Sequence, residues 1–268
     1  MKAPFRKPGS DPVLSPQILS ILSHSCLLKG HIPELYLLIF KFNFKHRIST
    51  ERKIMEFALR IKLMQVYLSF KSSNMNKTFN ETLDKHNLLK HPFYISWNEG
   101  TLTQEQLALY ATEYGSFIKL ISEGWARIGE EKIAMEEVGH FEIWQGFAAS
   151  LGTDTITAQI KSVKDLVSIT ESNYSTYPGA LGSLYAFEAQ QPATASSKLE
   201  GLKKHYKNWG ADETYFEIHS TDWEEPALLE AKILTLSEED RELALQACTS
   251  TCKALWEALS GIMEARNN

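Results

Sequence analysis

Three stretches of this 268-residue chain carry acids or histidines in patterns that could hold a metal ion. In Met135-Glu136-Glu137-Val138-Gly139-His140, Glu137 and His140 stand at i and i+3, and Glu136 stands four residues before the same histidine. His219 and Asp222 form a second i, i+3 pair. Residues three or four apart share one helix face, so each pair can offer two ligands to one cation. Glu188 lies in the apolar run Leu184-Tyr185-Ala186-Phe187-Glu188-Ala189. A carboxylate there must be paired, protonated or bound to a cation, because burying it alone is too costly. Helical bundles that bind two irons or manganese ions are built from such carboxylates and acid-plus-histidine pairs on separate helices. Carboxylate and imidazole without thiolate suit iron or manganese better than a soft metal. Each pair by itself also reads as an ordinary surface ion pair. Their joint occurrence on three helices favours a metal site.

The elements that must position these residues read as helices throughout. After Met75 the apolar positions recur with a period near 3.6, and no run alternates in the manner of a half-buried strand. Thr103 with Gln106 has the form of a capping box and predicts a helix over about 104–127. Glu130 and Glu131 open another that stops at Gly152. Thr155 to Ser172 is a third, Tyr177 to about Tyr206 a fourth, and Asp212 to about Leu234 a fifth. Ser237 caps the last, to about Ala265, and a short helix is expected near 79–88. The fold class predicted is a compact all-α bundle.

Composition narrows the function further. With 43% hydrophobic residues and three cysteines the chain suits one or two soluble globular domains and excludes a collagenous, disulfide-built or fully disordered protein. The net charge of −5 hides an asymmetry: residues 1–74 hold 12 Lys and Arg against four acids, whereas residues 75–268 hold 16 against 29. An acidic body has no electrostatic attraction for nucleic acid or an anionic membrane. No apolar run is long enough to span a bilayer. Residues 1–74 read as a basic appendage: a presequence, an amphipathic arm or, as favoured here, sequence upstream of a true start at Met75. Residues 75–268 form the functional domain, and a reducing cytoplasm is the expected compartment.

These residues resemble the heme-oxygenase-like dimetal oxidases, an all-helical group that shares its fold with thiaminase-like and pyrroloquinoline-quinone-synthase-like proteins. Within it the likeness is strongest to the 4-aminobenzoate synthases related to the chlamydial protein associating with death domains. It is carried by His91-Pro92-Phe93-Tyr94-Ile95-Ser96-Trp97-Asn98-Glu99-Gly100, Leu109-Tyr110-Ala111-Thr112-Glu113-Tyr114, His140-Phe141-Glu142-Ile143-Trp144, the run from Leu184 to Pro192, Lys198-Leu199-Glu200-Gly201-Leu202 and Tyr215-Phe216-Glu217-Ile218-His219. The resemblance covers about residues 78–265. It departs at two places. The family often separates the first Glu and His by six residues, whereas Glu136 and Glu137 stand closer to His140, as in fatty-acid-decarboxylating members. The family's last metal helix carries Asp four and His seven residues after its first His, where this chain has Trp223 and Pro226; Asp222 or Glu225 could substitute.

The resemblance implies two metals, iron or iron with manganese, held by Glu137, His140, Glu188, His219 and Asp222. It implies dioxygen and a reductant as partners, a homodimer as the possible assembly, and neither nucleic acid nor membrane. In the 4-aminobenzoate synthases the oxidised group is the protein's own tyrosine, and a lysine is the implicated amino donor. The matching positions are Tyr94, Tyr110 and Lys198. Rival expectations are an oxidase of an external fatty acid or amino acid, a thiaminase-type hydrolase using a cysteine, and a non-catalytic interaction protein. Cys248 and Cys252 lie outside the matching motifs, which disfavours the hydrolase.

Overall fold

The computed structural model describes residues 78–155 and 157–265. The expectations for residues 1–74 and for a start at Met75 lie outside the described residues. All the regular structure described is helical, and none of its helices is long and apolar enough to cross a membrane. In chain order these are α1 (78–85), α2 (Pro92–Glu99), α3 (Gln104–Ile118), α4 (Ile121–Arg127), α5 (Glu131–Ser150), α6 (Lys161–Tyr174), α7 (Tyr177–Glu188), α8 (Gln191–Gly201), α9 (Thr214–His219), α10 (Glu224–Thr235) and α11 (Glu238–Glu264).

Local chemistry explains most of these boundaries. The Thr103 side chain accepts from Gln106 N while the Gln106 side chain accepts from Thr103 N, which is the reciprocal capping box. Ser237 caps α11 by accepting from Asp240 N. The turn after α5 runs through Gly152 at φ +78°, a conformation that favours glycine. His91 begins α2: its Nδ1 accepts from Phe93 N, and Pro92 occupies the first helical position, where the missing N–H is harmless.

Three of the longer helices expected are broken in the structure. The segment 177–206 parts at Ala189 and Gln190 because Pro192 is tolerated only in a first turn, and α8 restarts there. The segment 212–234 parts after His219 for the same reason, with Pro226 in the first turn of α10. The helix over 104–127 is interrupted at Lys119 and Leu120, where Leu120 N turns back to Phe117 O in a tighter turn. The third helix begins at Lys161 rather than Thr155. Its entry is held from elsewhere: the buried Glu113 carboxylate of α3 accepts from Gln159 N and Ile160 N at 2.9–3.1 Å.

The longest helix among the described residues, α11, packs against α6 and α7. Gly182 of α7 permits that closeness, since a Cβ there would overlap the carbonyl oxygen of Ala244. This fixes α7, which is buried from Pro178 to its end at Glu188. The core around it is strongly aromatic, with Trp97, Trp125, Trp144, Tyr94, Tyr110, Tyr114 and Tyr215 all fully or almost fully buried.

Candidate metal centre

The bundle brings three of the sequence-predicted ligands together from two helices. Glu137 and His140 project from the middle of α5, and His140 Nδ1 lies 2.8 Å from Glu137 Oε1. His219 ends α9, and its ring meets that of His140 edge to face at 4.6 Å between centroids. One ligand atom from each of Glu137, His140 and His219 lies within 4.8 Å of the other two. His219 Nδ1 is 2.7 Å from Tyr215 O, and a carbonyl can only accept, so Nδ1 carries the hydrogen. Its Nε2 lone pair is left for a cation, and burial holds the ring neutral by pulling its pKa down to about 4.

Two further buried carboxylates feel the charge of Glu137. Glu188 is 2% exposed, and its Oε1 has no hydrogen-bond partner. Burial pushes its pKa well above the usual carboxylate range, and the charges of Glu225 and Glu137 push it further. The Trp125 indole stands close enough to offset part of that shift without forming a well-aligned hydrogen bond. Glu225, in the first turn of α10, is buried too, and burial followed by the Glu137 charge raises its pKa to about 8. Asp222 sits at the half-buried turn before α10, where its Oδ1 accepts from Glu224 N at 3.2 Å. Its charge is still felt by His140, Glu188 and Glu225. An orphaned buried carboxylate oxygen that feels the like charges of Glu225, Glu137 and Asp222 fits a cation: a metal would remove the repulsion and supply the missing partner. His140 faces a surface cleft of about 610 Å³ that is also lined by Glu136, Asp212 and Ile218.

The three remaining candidates form one aromatic pocket. Lys198 of α8 is 2% exposed, and its Nζ donates to Tyr110 Oη at 3.0 Å. The same nitrogen stands 5.3 Å from the Tyr94 ring centroid, 5.5 Å from that of Tyr110 and 5.1 Å from that of Phe216. Among the described residues no carboxylate pairs with this ammonium, and burial lowers its pKa to about 7. Trp97 holds the backbone at that point, its Nε1 donating to Lys198 O at 3.0 Å. Burial raises the phenol pKa values of Tyr94 and Tyr110, so both are neutral at physiological pH.

Four residues to which spacing assigned no role complete the arrangement. Tyr215 stacks on His219 with centroids 4.2 Å apart, Trp144 meets Tyr215 at 4.8 Å, Gln191 Nε2 donates to Tyr215 Oη at 2.9 Å, and Tyr114 stacks on Tyr110 at 5.1 Å. Their signal in the sequence is their place inside the stretches that carry the family resemblance.

No protein-family model matches the chain. Its backbone resembles a TenA homologue from P. horikoshii OT3 (TM-score 0.56, 13% identity, covering 72% of this chain and 97% of that one). It also resembles a Shewanella denitrificans domain with a heme oxygenase-like fold (TM-score 0.58, 16% identity, 75% and 93%). These likenesses establish the heme-oxygenase-like fold. In sequence the chain is 32% identical over 233 residues to the 4-aminobenzoate synthase of Nitrosomonas europaea, covering 70% of this chain and 92% of that protein. It is 29% identical over 213 residues to the 4-aminobenzoate synthase of Chlamydia pneumoniae, covering 69% and 95%. At that identity, over nearly the whole length of the relative, the chain belongs to the 4-aminobenzoate synthase family.

Proposed function

We propose that this protein makes 4-aminobenzoate from one of its own tyrosines, Tyr94 or Tyr110, with Lys198 as amino donor. In this reading Glu137, His140, Glu188 and His219 hold a pair of metals, iron or iron with manganese, and Asp222 or Glu225 completes the second position. The bound pair, given dioxygen and a reductant, supplies a strong oxidant. The protein's own part is placement. Fully buried rings keep water from the reacting phenol, and α3 and α8 hold the phenol and amine within hydrogen-bond distance of each other.

Lys198 is the single observation that carries this reading. A lysine sealed among aromatic rings with no carboxylate partner opposes folding, and such groups cluster where chemistry needs an unprotonated amine. With a pKa of about 7 the free base is well populated at neutral pH. The 4-aminobenzoate synthases with which this chain aligns support the product assignment.

Full-length protein given iron or manganese, reductant and dioxygen, and no aromatic substrate, is expected to release product up to a plateau below one molecule per chain. The initial rate should rise with pH through about 7, as Lys198 loses its proton. Lys198→Arg, which keeps the charge but has no primary amine, should release none. Sustained turnover on a supplied substrate would replace this reading with that of an oxidase acting on an external molecule.

A further inference from the structure

The metal centre and the reactive tyrosines sit on different helices, so an oxidising equivalent generated at one must travel to the other. His219 belongs to the candidate centre, and its ring stacks on Tyr215 at 4.2 Å and 29°. Tyr215 meets Trp144 edge to face at 4.8 Å, and Trp144 meets Tyr110 at 5.6 Å. Beyond His219, the ring contacts of Tyr215 are with Trp144 and Phe216; those of Tyr110 are with Phe93, Trp97, Tyr114 and Trp144. Among the described residues, Trp144 is therefore the ring that touches both. It is also oxidisable, whereas the phenylalanines around it are far less so.

We propose that Trp144 relays the oxidising equivalent from the metal centre to Tyr110, with the Tyr215 ring as the bridge and Lys198 as the proton acceptor. The proposal rests on the reading above for its oxidant, the metal centre charged by dioxygen and a reductant. In the first step Trp144 would give up one electron by way of Tyr215, and the oxidant that Glu137, His140 and His219 would hold would be its one-electron acceptor. The indole Nε1–H is bonded to Ala111 O at 2.9 Å, and a helix carbonyl is too weak a base to take that proton. The oxidised indole thus stays a cation and passes its charge on. In the second step Tyr110 gives one electron to the indole, restoring Trp144, and gives its phenolic proton to the free amine of Lys198 across their 3.0 Å contact. The result is a neutral phenoxyl radical beside an ammonium.

Trp144 is wholly buried, and so is every ring along the route except half-buried His140 at its metal end. Burial suits this role, because water would quench a radical intermediate. A purely structural role for Trp144 is the competing reading, so the test reads radicals and metal separately. Metal-loaded, reduced full-length protein is mixed with dioxygen, freeze-quenched and examined by electron paramagnetic resonance, with metal content and the optical change of metal oxidation recorded in parallel. In Trp144→Phe the phenoxyl signal should form at least about tenfold more slowly while metal content and metal oxidation stay at wild-type values, and Trp144→Tyr should recover part of the rate.

Tyr110→Phe provides a second arm that leaves Trp144 in place. There the charge has no phenol to move to, so an indole radical should accumulate, and its signal should narrow when the protein is grown on ring-deuterated tryptophan. A phenoxyl signal forming at the wild-type rate in Trp144→Phe would overturn the relay, as would the absence of an indole signal in Tyr110→Phe. Product release is scored separately: 4-aminobenzoate from wild-type protein with radicals indifferent to Trp144 removes the relay alone. Radicals that depend on Trp144 without any 4-aminobenzoate remove the product assignment alone.

Discussion

Replacing Lys198 with methionine is expected to stabilise the metal-free fold by about 3 kcal/mol at neutral pH while abolishing 4-aminobenzoate release. Burial moves the Lys198 pKa from 10.5 to about 7, so near neutral pH folding forces the ammonium either to lose its proton or to be buried charged. That cost is fully present below about pH 7 and fades as pH rises toward 10.5, where the unfolded chain also loses the proton. Methionine fills similar volume without a charge, at the loss of one hydrogen bond to Tyr110, worth about 1 kcal/mol. Denaturant melts of both proteins at pH 7 and pH 10 check this: the gain should be large at the first and nearly gone at the second. Equal stability at pH 7 would mean that Lys198 is not held in the buried position from which amino donation is argued.

Metal binding should stabilise the protein strongly and release protons. At pH 7 the metal-free site retains a proton on Glu225, whose pKa burial and the Glu137 charge raise to about 8, and burial with the Glu225 and Glu137 charges raises that of Glu188 in the same direction. Both carboxylates must ionise to serve a cation, so titration with manganese near neutral pH should release between about one and two protons per chain. Calorimetry in buffers of different ionisation enthalpy reads that number. At a free metal concentration of about a thousand times Kd the stabilisation amounts to about 4 kcal/mol, visible as a rise in Tm. His219→Ala removes the imidazole whose Nε2 is freed by the Nδ1 bond to Tyr215 O, and should lose most of the bound metal and of the Tm rise. Unchanged stoichiometry in that variant would remove His219 from the site.

The i, i+3 spacing of Glu137 and His140 announced their pairing on one helix face, and the apolar run around Glu188 announced a buried carboxylate, because helical periodicity fixes which side chains share a face. Which acid joins the cluster near His219 is another matter. Pro226 breaks the helix there, so phase cannot be carried from His219 onward: Asp222 turns to the start of α10 while Glu225 becomes the buried acid. The caps at Thr103 and Ser237 were legible because both partners lie within one turn. The late start of α6 was not, since the N–H groups of Gln159 and Ile160 just before it are satisfied by Glu113, more than 40 residues earlier in the chain. Lys198 taken alone looks like an ordinary solvated helix charge. Its burial is made by Tyr94, Trp97 and Tyr110, about a hundred residues away, and by Phe216 on another helix.

The origin of the product's ring is the central claim, and an isotope decides it. Protein grown on tyrosine carrying carbon-13 throughout its ring, purified, and then given unlabelled buffer, metal, reductant and dioxygen should release 4-aminobenzoate with a fully labelled ring. The chain left behind should have lost that tyrosine side chain at position 94 or 110 by peptide mass spectrometry. Unlabelled 4-aminobenzoate, or labelled protein that emerges with both tyrosines intact, would contradict the account.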